Sequence, residues 1–333
     1  MNLRTSKVLV TGGTGFIGRP LCRSLREKCG EVRVLIRNLA DETVLTKQGL
    51  IPILGDISSH VFLQKASKGC NIVCHLAAGS GSLETARKIN VEGTRNVLDA
   101  AISAGVEKVI TLSSVAVYGS KIHGTITEDF PLINQGTPYA VTKVNAEQLI
   151  DEYREKKNLD VVVIRPSLVY GPQSPIWTIA LFERIKNDQI FLVNFGEGLM
   201  NLIYVDDLVR LIIEAAGNDR SKNATFNANN EERVFWAQYL EAMCTMLHKK
   251  RPLSISSRRA YALWKYYEWK FRFTRIDGPI IESDLNLQQN DAIFSAQKAK
   301  QMIGFEPQFS FLNGMNETNE WLKSEGYIGK LFN

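Results

Sequence analysis

What the chain has little of restricts its chemistry before any motif is read. Four histidines, at 60, 75, 123 and 248, are spread through 333 residues with no HExxH or other paired-ligand spacing, so no metal centre is expected. The five cysteines, at 22, 29, 70, 74 and 244, form no CxxC pair and are odd in number. They read as reduced, buried thiols of a cytoplasmic protein rather than as a disulfide framework. No stretch reaches the roughly 18 apolar residues of a membrane span. The opening MNLRTSKVLVTGGTG runs into glycines before any signal-peptide core can form. Repeats, low-complexity runs and Pro/Gly-rich linkers are also missing. Charge is nearly balanced, 40 basic against 35 acidic residues for a net of +5, too mild for nucleic acid to be the main partner.

What is present is an ordinary globular composition, 44% hydrophobic and 23% charged, long enough for one large domain or a domain with a lobe. Six short apolar runs read as strands: Lys7–Thr11, Glu31–Arg37, Ile51–Gly55, Asn71–Leu76, Glu107–Ser113 and Asp160–Pro166. Helical stretches near 15–28, 58–68, 84–104 and 137–157 separate them. This alternation gives an α/β fold with a doubly wound parallel sheet. After Gly171-Pro172 the rhythm changes. Residues 172–200 read as a helix with turns, 201–216 as a strand entering a helix, and Thr225–Ala228 as one more strand. From about 232 the chain is helical and irregular, so a smaller lobe is expected over the carboxyl ends of the strands, where open α/β sheets bind ligands.

Three patterns carry chemistry. VLVTGGTGFIGRPL sets Gly12, Gly15 and Gly18 between a strand and a helix, where glycine lets the backbone approach a pyrophosphate and the helix N-terminus offers free N–H groups. At the end of the second strand stand Arg37 and Asn38, with no acid closer than Asp41. An acid there would bind a ribose hydroxyl, whereas Arg37 suits a 2′-phosphate, which favours NADP over NAD. The same arginine can instead stack on adenine or face solvent. Tyr139 and Lys143 are four residues apart and share a helix face. That spacing also occurs on ordinary helix surfaces, but Ser114 closes the fifth strand upstream and can polarise a reacting oxygen. An adjacent ammonium together with a nicotinamide cation would favour phenolate, lowering the phenol's pKa from near 10 and making it an acid/base catalyst.

TGGTGFIG, GDI at 55–57, HLAA at 75–78, NVEGTRNVLDAA at 90–101, SSVAVYG at 113–119, YAVTK at 139–143, IRPSLVYGP at 164–172 and IYVDDLV at 203–209 occur in one order. In this the chain resembles the extended short-chain dehydrogenase/reductases, the NAD-dependent epimerase/dehydratase family. The match covers about residues 5–215, with an echo at 295–315. The resemblance implies a Rossmann domain over 1–171 plus about 201–230, and a substrate lobe over 172–200 and about 231–333. It implies that Gly12, Gly15, Phe16, Ile17 and Gly18 hold the pyrophosphate. Asp56 and Ile57 would contact the adenine, while Leu76, Ala77 and Ala78 line the cofactor's path. Asn90 would order the active-site helix, and Pro166 would face the carboxamide. Ser114, Tyr139 and Lys143 would be catalytic, with Lys143 also on the nicotinamide ribose. His75 reads as a structural strand-end histidine. A cytoplasmic homodimer paired through the two long helices is the family expectation.

Departures from the family pattern bear on the reaction. Val115 and Ala116 stand where the resembling 4,6-dehydratases carry an acidic pair, which disfavours dehydration. Met200 and Asn201 replace an Arg-Asp pair that binds a nucleotide diphosphate in many epimerases. Two enzyme readings follow. One is an epimerase acting on a nucleotide- or lipid-linked sugar through a 4-keto intermediate, placed slightly ahead. The other is an NADP-dependent ketoreductase resembling 3β-hydroxysteroid dehydrogenases. A non-catalytic cofactor-binding scaffold is the third.

One segment fits none of this. Residues 249–275 hold nine basic residues, one acid (Glu268) and seven aromatics. Their net of +8 exceeds the whole chain's +5, so the remainder sums to −3. Read as a helix, Ala260, Leu263, Trp264, Tyr267 and Phe271 form one apolar stripe, and Ala262, Tyr266, Trp269 and Phe273 a second. The second stripe suggests contact with a membrane face or a lipid-linked substrate; a solvated helix over the pocket, or a dimer contact, is the plainer expectation.

Overall fold

The computed structural model describes residues 2–120, 122–274 and 282–328. Its core is a seven-stranded parallel sheet of β1 (Lys7–Thr11), β2 (Glu31–Ile36), β3 (Ile51–Leu54), β4 (Ile72–His75), β5 (Lys108–Leu112), β6 (Asp160–Pro166) and β7 (Thr225–Ala228). The spatial order is β3-β2-β1-β4-β5-β6-β7. The first six strands fall within a residue of their expected ends, and Thr225–Ala228 is the seventh. The chain winds outward from β1 to β3, then returns to place β4 on the other side of β1. That reversal opens a crevice beyond the carboxyl ends of β1 and β4.

Helices cover both faces of the sheet, so its central strands are buried and mostly apolar. Along β1, Val8 and Val10 enter one core while Leu9 enters the other. Helices α1 (Gly18–Lys28) and, later in the chain, Val205–Gly217 pack on the first face; His60–Ser67, α2 (Gly93–Ser103) and α3 (Pro138–Lys157) pack on the second. Even the one lysine of β5 is interior. Lys108 is 2% exposed, and its Nζ donates to Asn218 O at 2.8 Å and Ser221 Oγ at 2.9 Å, partners that a buried ammonium requires.

The helix expected near 84–104 is present, with one internal irregularity. It runs as Leu83–Arg87, a π-helical turn at Lys88–Glu92, and then α2. The wider turn brings Asn90 inside, and such turns recur at functional sites.

Three short parallel pairs stand apart from the seven-stranded sheet. Leu168–Tyr170 pairs with Leu202–Tyr204, Leu192–Val193 with Ser254–Ile255, and Thr125–Ile126 with Ile293–Phe294. Helix α4 (Val205–Gly217) starts directly after the second of these strands. Its fully buried Asp207 accepts from the backbone N–H of Gln308 at 2.8 Å and of Phe309 at 3.0 Å, and from Arg210 at 2.8 Å. That carboxylate explains how the 203–209 motif and the echo at 295–315 belong together.

Helix α5 (Ser257–Thr274) occupies the basic aromatic segment; Arg275 lies outside the described residues. Ala260 is fully buried and packs with Val193 and Leu285, while Leu263 and Trp264 cover them. Phe271, expected on this packed stripe, stands exposed near the helix end. All five cysteines are buried and unpaired. Among the described residues no helix is long and apolar enough to cross a membrane, and no cluster of His, Cys, Asp or Glu could hold a metal ion.

Candidate active site

The crevice is built first by close backbone packing. Gly12 follows β1 at φ +72°, and a Cβ there would lie 2.7 Å from Ala77 N and 2.9 Å from the Leu76 carbonyl carbon. A Cβ on Gly18 would lie 2.1 Å from Gly12 O. Gly15 differs: its added Cβ meets only Gly12 O, at 3.3 Å, leaving the outer side of the loop open. Helix α1 begins here with no side-chain cap and no acid in its first turn. Open backbone at the positive amino-terminal end of a helix fits an anionic pyrophosphate. Phe16 and Ile17 are half-buried in the same loop. Gly13 was missed by the spacing pattern. Its Cβ would meet Val34 Cγ1 at 2.5 Å and Cys22 Sγ at 2.9 Å, so it seats α1 on the sheet.

Leu76, Ala77 and Ala78 leave β4 partly exposed and lie against this loop. Arg37 is exposed at the end of β2, beside Asp56, which follows β3. The Asp56 carboxyl is held below its ordinary range, mainly because it accepts the Ser58 backbone N–H at 2.8 Å, with Arg37 adding positive charge. Asn38 spends its side-chain oxygen on Ala40 N at 3.0 Å. The Ile57 side chain packs beneath α2, where a Cβ on Gly93 would meet its Cδ1 at 2.6 Å, so its side chain is turned from the crevice.

Tyr139 and Lys143 stand on α3, which starts cleanly. Thr137 caps it by accepting Ala140 N at 3.2 Å, and Pro138 takes the first position. Lys143 is buried, and its Nζ donates to Leu112 O at the end of β5, 2.8 Å away. The same Nζ lies 5.7 Å from the centre of the Tyr139 ring. Burial lowers the Lys143 pKa to about 8, with Glu147 pulling it back up. Ser114 follows β5; its Oγ accepts Ala116 N at 3.2 Å, and its hydroxyl lies close enough to the Tyr139 phenol to favour the ionised form.

The protein's own groups act on the phenol as follows. Burial raises the Tyr139 pKa above its ordinary value, and the nearby Ser114 hydroxyl opposes this. The expected ammonium effect does not dominate, because Lys143 turns its charge to the Leu112 carbonyl and is itself desolvated.

Asn90 is engaged entirely by protein groups. Its side chain accepts Gly79 N at 2.8 Å and donates to Gly79 O and Thr142 Oγ1, each at 2.9 Å. It thus fastens the loop after β4 to α3, and all these bonds go to protein rather than to a ligand position. His75 accepts from Thr11 Oγ1 at 2.7 Å and donates through Nε2 to Thr94 Oγ1 at 3.1 Å, since Thr94 gives its own proton to Asn90 O at 2.6 Å. Burial lowers its pKa to about 3, so it stays neutral inside the fold. Pro166 is buried at the end of β6 beside Ala228.

Sequence reading missed Glu147, Arg165 and Tyr118. Arg165 forms a buried two-pronged pair with Glu147, Nε to Oε1 at 3.0 Å and Nη2 to Oε2 at 2.6 Å, and donates to Tyr118 Oη at 2.7 Å. Tyr118 in turn donates to Asn227 Oδ1 at 2.6 Å. This network locks α3 to β6 and β7 two turns below Tyr139. An arginine inside the apolar run VVVIRP was the available signal. Val115 is buried and Ala116 half-buried just beyond Ser114. Met200 is fully buried, and Asn201 turns inward to donate to Ala292 O at 2.9 Å and accept Phe294 N at 3.3 Å.

Known proteins give this crevice a context. The chain is 27% identical over 345 residues to 3beta-hydroxysteroid-dehydrogenase/decarboxylase isoform 1 of Arabidopsis thaliana, covering 93% of this chain and 78% of that one. It is 27% identical over 323 residues to 2-alkyl-3-oxoalkanoate reductase of Stenotrophomonas maltophilia, covering 93% and 97%. UDP-glucose 4-epimerase of Vibrio cholerae is 24% identical over 324 residues, covering 93% and 94%. The solved structure of MoeE5 in complex with UDP-glucose and NAD shares the fold at a TM-score of 0.75 and 24% identity, over 96% of this chain and 99% of that one. Residues 8–228 match the model of the NAD dependent epimerase/dehydratase family. With that match across the sheet and the crevice, this chain is a member of the NAD-dependent epimerase/dehydratase family, an NAD(P)-binding extended short-chain dehydrogenase/reductase.

Proposed function

We propose that the protein is an NADP(H)-dependent oxidoreductase that makes one net transfer between cofactor and a secondary alcohol or ketone on a largely apolar substrate. The observation that carries this reading is the pair at 200–201. Met200 is fully buried and the Asn201 amide is consumed by Ala292 and Phe294, so no cation stands where many epimerases grip a nucleotide diphosphate. The epimerase reading, placed first on sequence, therefore yields to its alternative. Val115 and Ala116 offer no titratable group for dehydration.

The glycine loop and α1 would hold the pyrophosphate, and Arg37 a 2′-phosphate through a charge-assisted fork. When bound, the cofactor supplies the nicotinamide carbon that gives or takes the hydride. The protein's own residues manage the oxygen. Ser114 donates a hydrogen bond to the substrate carbonyl and polarises it. Tyr139, whose raised pKa keeps it protonated, donates its proton as the carbonyl carbon is reduced, giving a neutral alcohol. Lys143, charged below about pH 8, stabilises the phenolate left behind. Residues 172–200 and about 231–333 form the substrate side in this reading.

The test offers purified protein either NADPH with a 2-alkyl-3-oxo acid or NADP⁺ with a 3β-hydroxysteroid, and separately UDP-glucose with NAD⁺. Stoichiometric change in NADPH absorbance with an apolar substrate supports the reading. Conversion of UDP-glucose to its C4 epimer without net cofactor change, and no reaction with the apolar substrates, overturns it.

A further inference from the structure

Beyond the crevice, the molecule's most unusual surface is α5. Eight large aromatic side chains are exposed among the described residues, and five belong to this one helix: Tyr261, Tyr266, Trp269, Phe271 and Phe273. Trp269 is 57% exposed and Phe273 73%. Tyr266, Trp269 and Phe273 follow one helical stripe, with ring centres 6.3 Å and 5.3 Å apart along it. The opposite side is already used, since Ala260, Leu263 and Trp264 pack on Val193 and Leu285.

The charge around this stripe is one-sided. Within Ser257–Thr274 the sequence has Arg258, Arg259, Lys265, Lys270 and Arg272 against Glu268 alone. Arg258 and Arg259 are exposed at the amino-terminal end. Lys265 bridges to Glu268 at 2.9 Å and lies 4.0 Å over the Trp264 ring, and Lys270 lies 5.5 Å from the Tyr267 ring. At the base of the helix, Leu253 is 74% exposed and Phe195 68%, and Phe195 N donates to Ser254 Oγ at 2.9 Å. Thus the excess positive charge of the whole chain gathers around its largest concentration of exposed aromatics.

We propose that α5 docks on the surface of an anionic lipid bilayer, with Tyr266, Trp269 and Phe273 entering the headgroup region and the flanking cations facing lipid phosphate and carboxylate. Tyrosine and tryptophan suit that layer because one end of each is apolar and the other polar. A helix with an aromatic face and a cationic flank lies in the plane of such an interface. The helix stays on the surface, as its charges bar a spanning position. A protein partner would need matching acidic and apolar features together, whereas an anionic bilayer supplies both over any area. This inference does not depend on the reaction catalysed.

The test floats the full-length protein with vesicles of phosphatidylcholine alone and of phosphatidylcholine mixed with phosphatidylserine, at low and high salt. The expected result is flotation with the anionic vesicles at low salt only. The Arg258→Glu/Arg259→Glu variant reverses two charges and lowers binding at least about tenfold. The Trp269→Ser/Phe273→Ser variant also loses flotation, with its melting temperature unchanged. Light scattering on the same proteins separates a second occupant. If the wild type stays at the bottom in every mixture, or forms a dimer that the Trp269→Ser/Phe273→Ser variant loses while vesicles capture neither, the proposal is overturned. Equal flotation of wild type and both variants overturns it as well.

Discussion

Helices α3 and α5 are similar in length, 20 and 18 residues, yet α3 buries nine of its side chains and α5, among those described, only Ala260. On α3 the interior extends to polar groups, and Thr142, Lys143 and Glu147 are each buried with a named partner. On α5 five of the seven aromatic residues are left exposed. The contrast teaches what each helix is for. A phenol that must meet one atom of a cofactor needs a support that over-determines its position, and a network of bonds to β5, β6, β7 and the β4 loop provides it. A helix that meets a fluid surface needs no such registration, and α5 keeps its anchoring contacts at one edge.

Breaking that contrast begins with Arg165. Arg165→Leu leaves the Glu147 carboxylate buried without its partner, and stability should fall by about 3–5 kcal/mol. Urea unfolding checks this, and a loss under about 1 kcal/mol would mean the network does not hold α3.

Lys143 gives a smaller, pH-dependent effect. Its folded pKa of about 8 lies below the ordinary 10.5, so between these values the unfolded chain binds more protons and stability rises with pH. The difference in unfolding free energy between wild type and Lys143→Met should climb by up to about 1.4 kcal/mol per pH unit in that window. A flat difference would place the ammonium in solvent.

Arg37→Ser tests the cofactor assignment. Loss of a charge-assisted fork to a 2′-phosphate should weaken NADPH binding about 10–100-fold and leave NADH nearly unchanged. Equal effects on both would assign Arg37 to the adenine ring. Least of all, Trp269→Ala on α5 should move stability by no more than about 0.5 kcal/mol in thermal unfolding. A larger loss would mean that the exposed stripe packs on the protein.

The sheet was readable because its strands are short, β-branched and apolar on both sides, a pattern that parallel strands between two helical layers require. The glycine loop and the Tyr139–Lys143 spacing were readable because each is local: residues three or four apart must share a turn or a helix face. The π-helical turn at Lys88–Glu92 was not, because it answers to Asn90 reaching Gly79 and Thr142, a tertiary demand that helical periodicity hides. Glu147 and Arg165 are 18 positions apart and meet only when α3 lies on β6. The burial of the Tyr139 phenol was not legible for a related reason. Spacing placed an ammonium near the phenol but could not weigh how far burial outruns it.

The most direct test of the central claim is the rate of NADPH oxidation by wild type and by Tyr139→Phe with one apolar ketone. Loss of the phenolic proton should reduce kcat about 10²–10⁴-fold, with NADPH affinity and melting temperature unchanged. A variant that keeps more than about a tenth of the wild-type kcat would contradict the assignment of Tyr139 as proton donor.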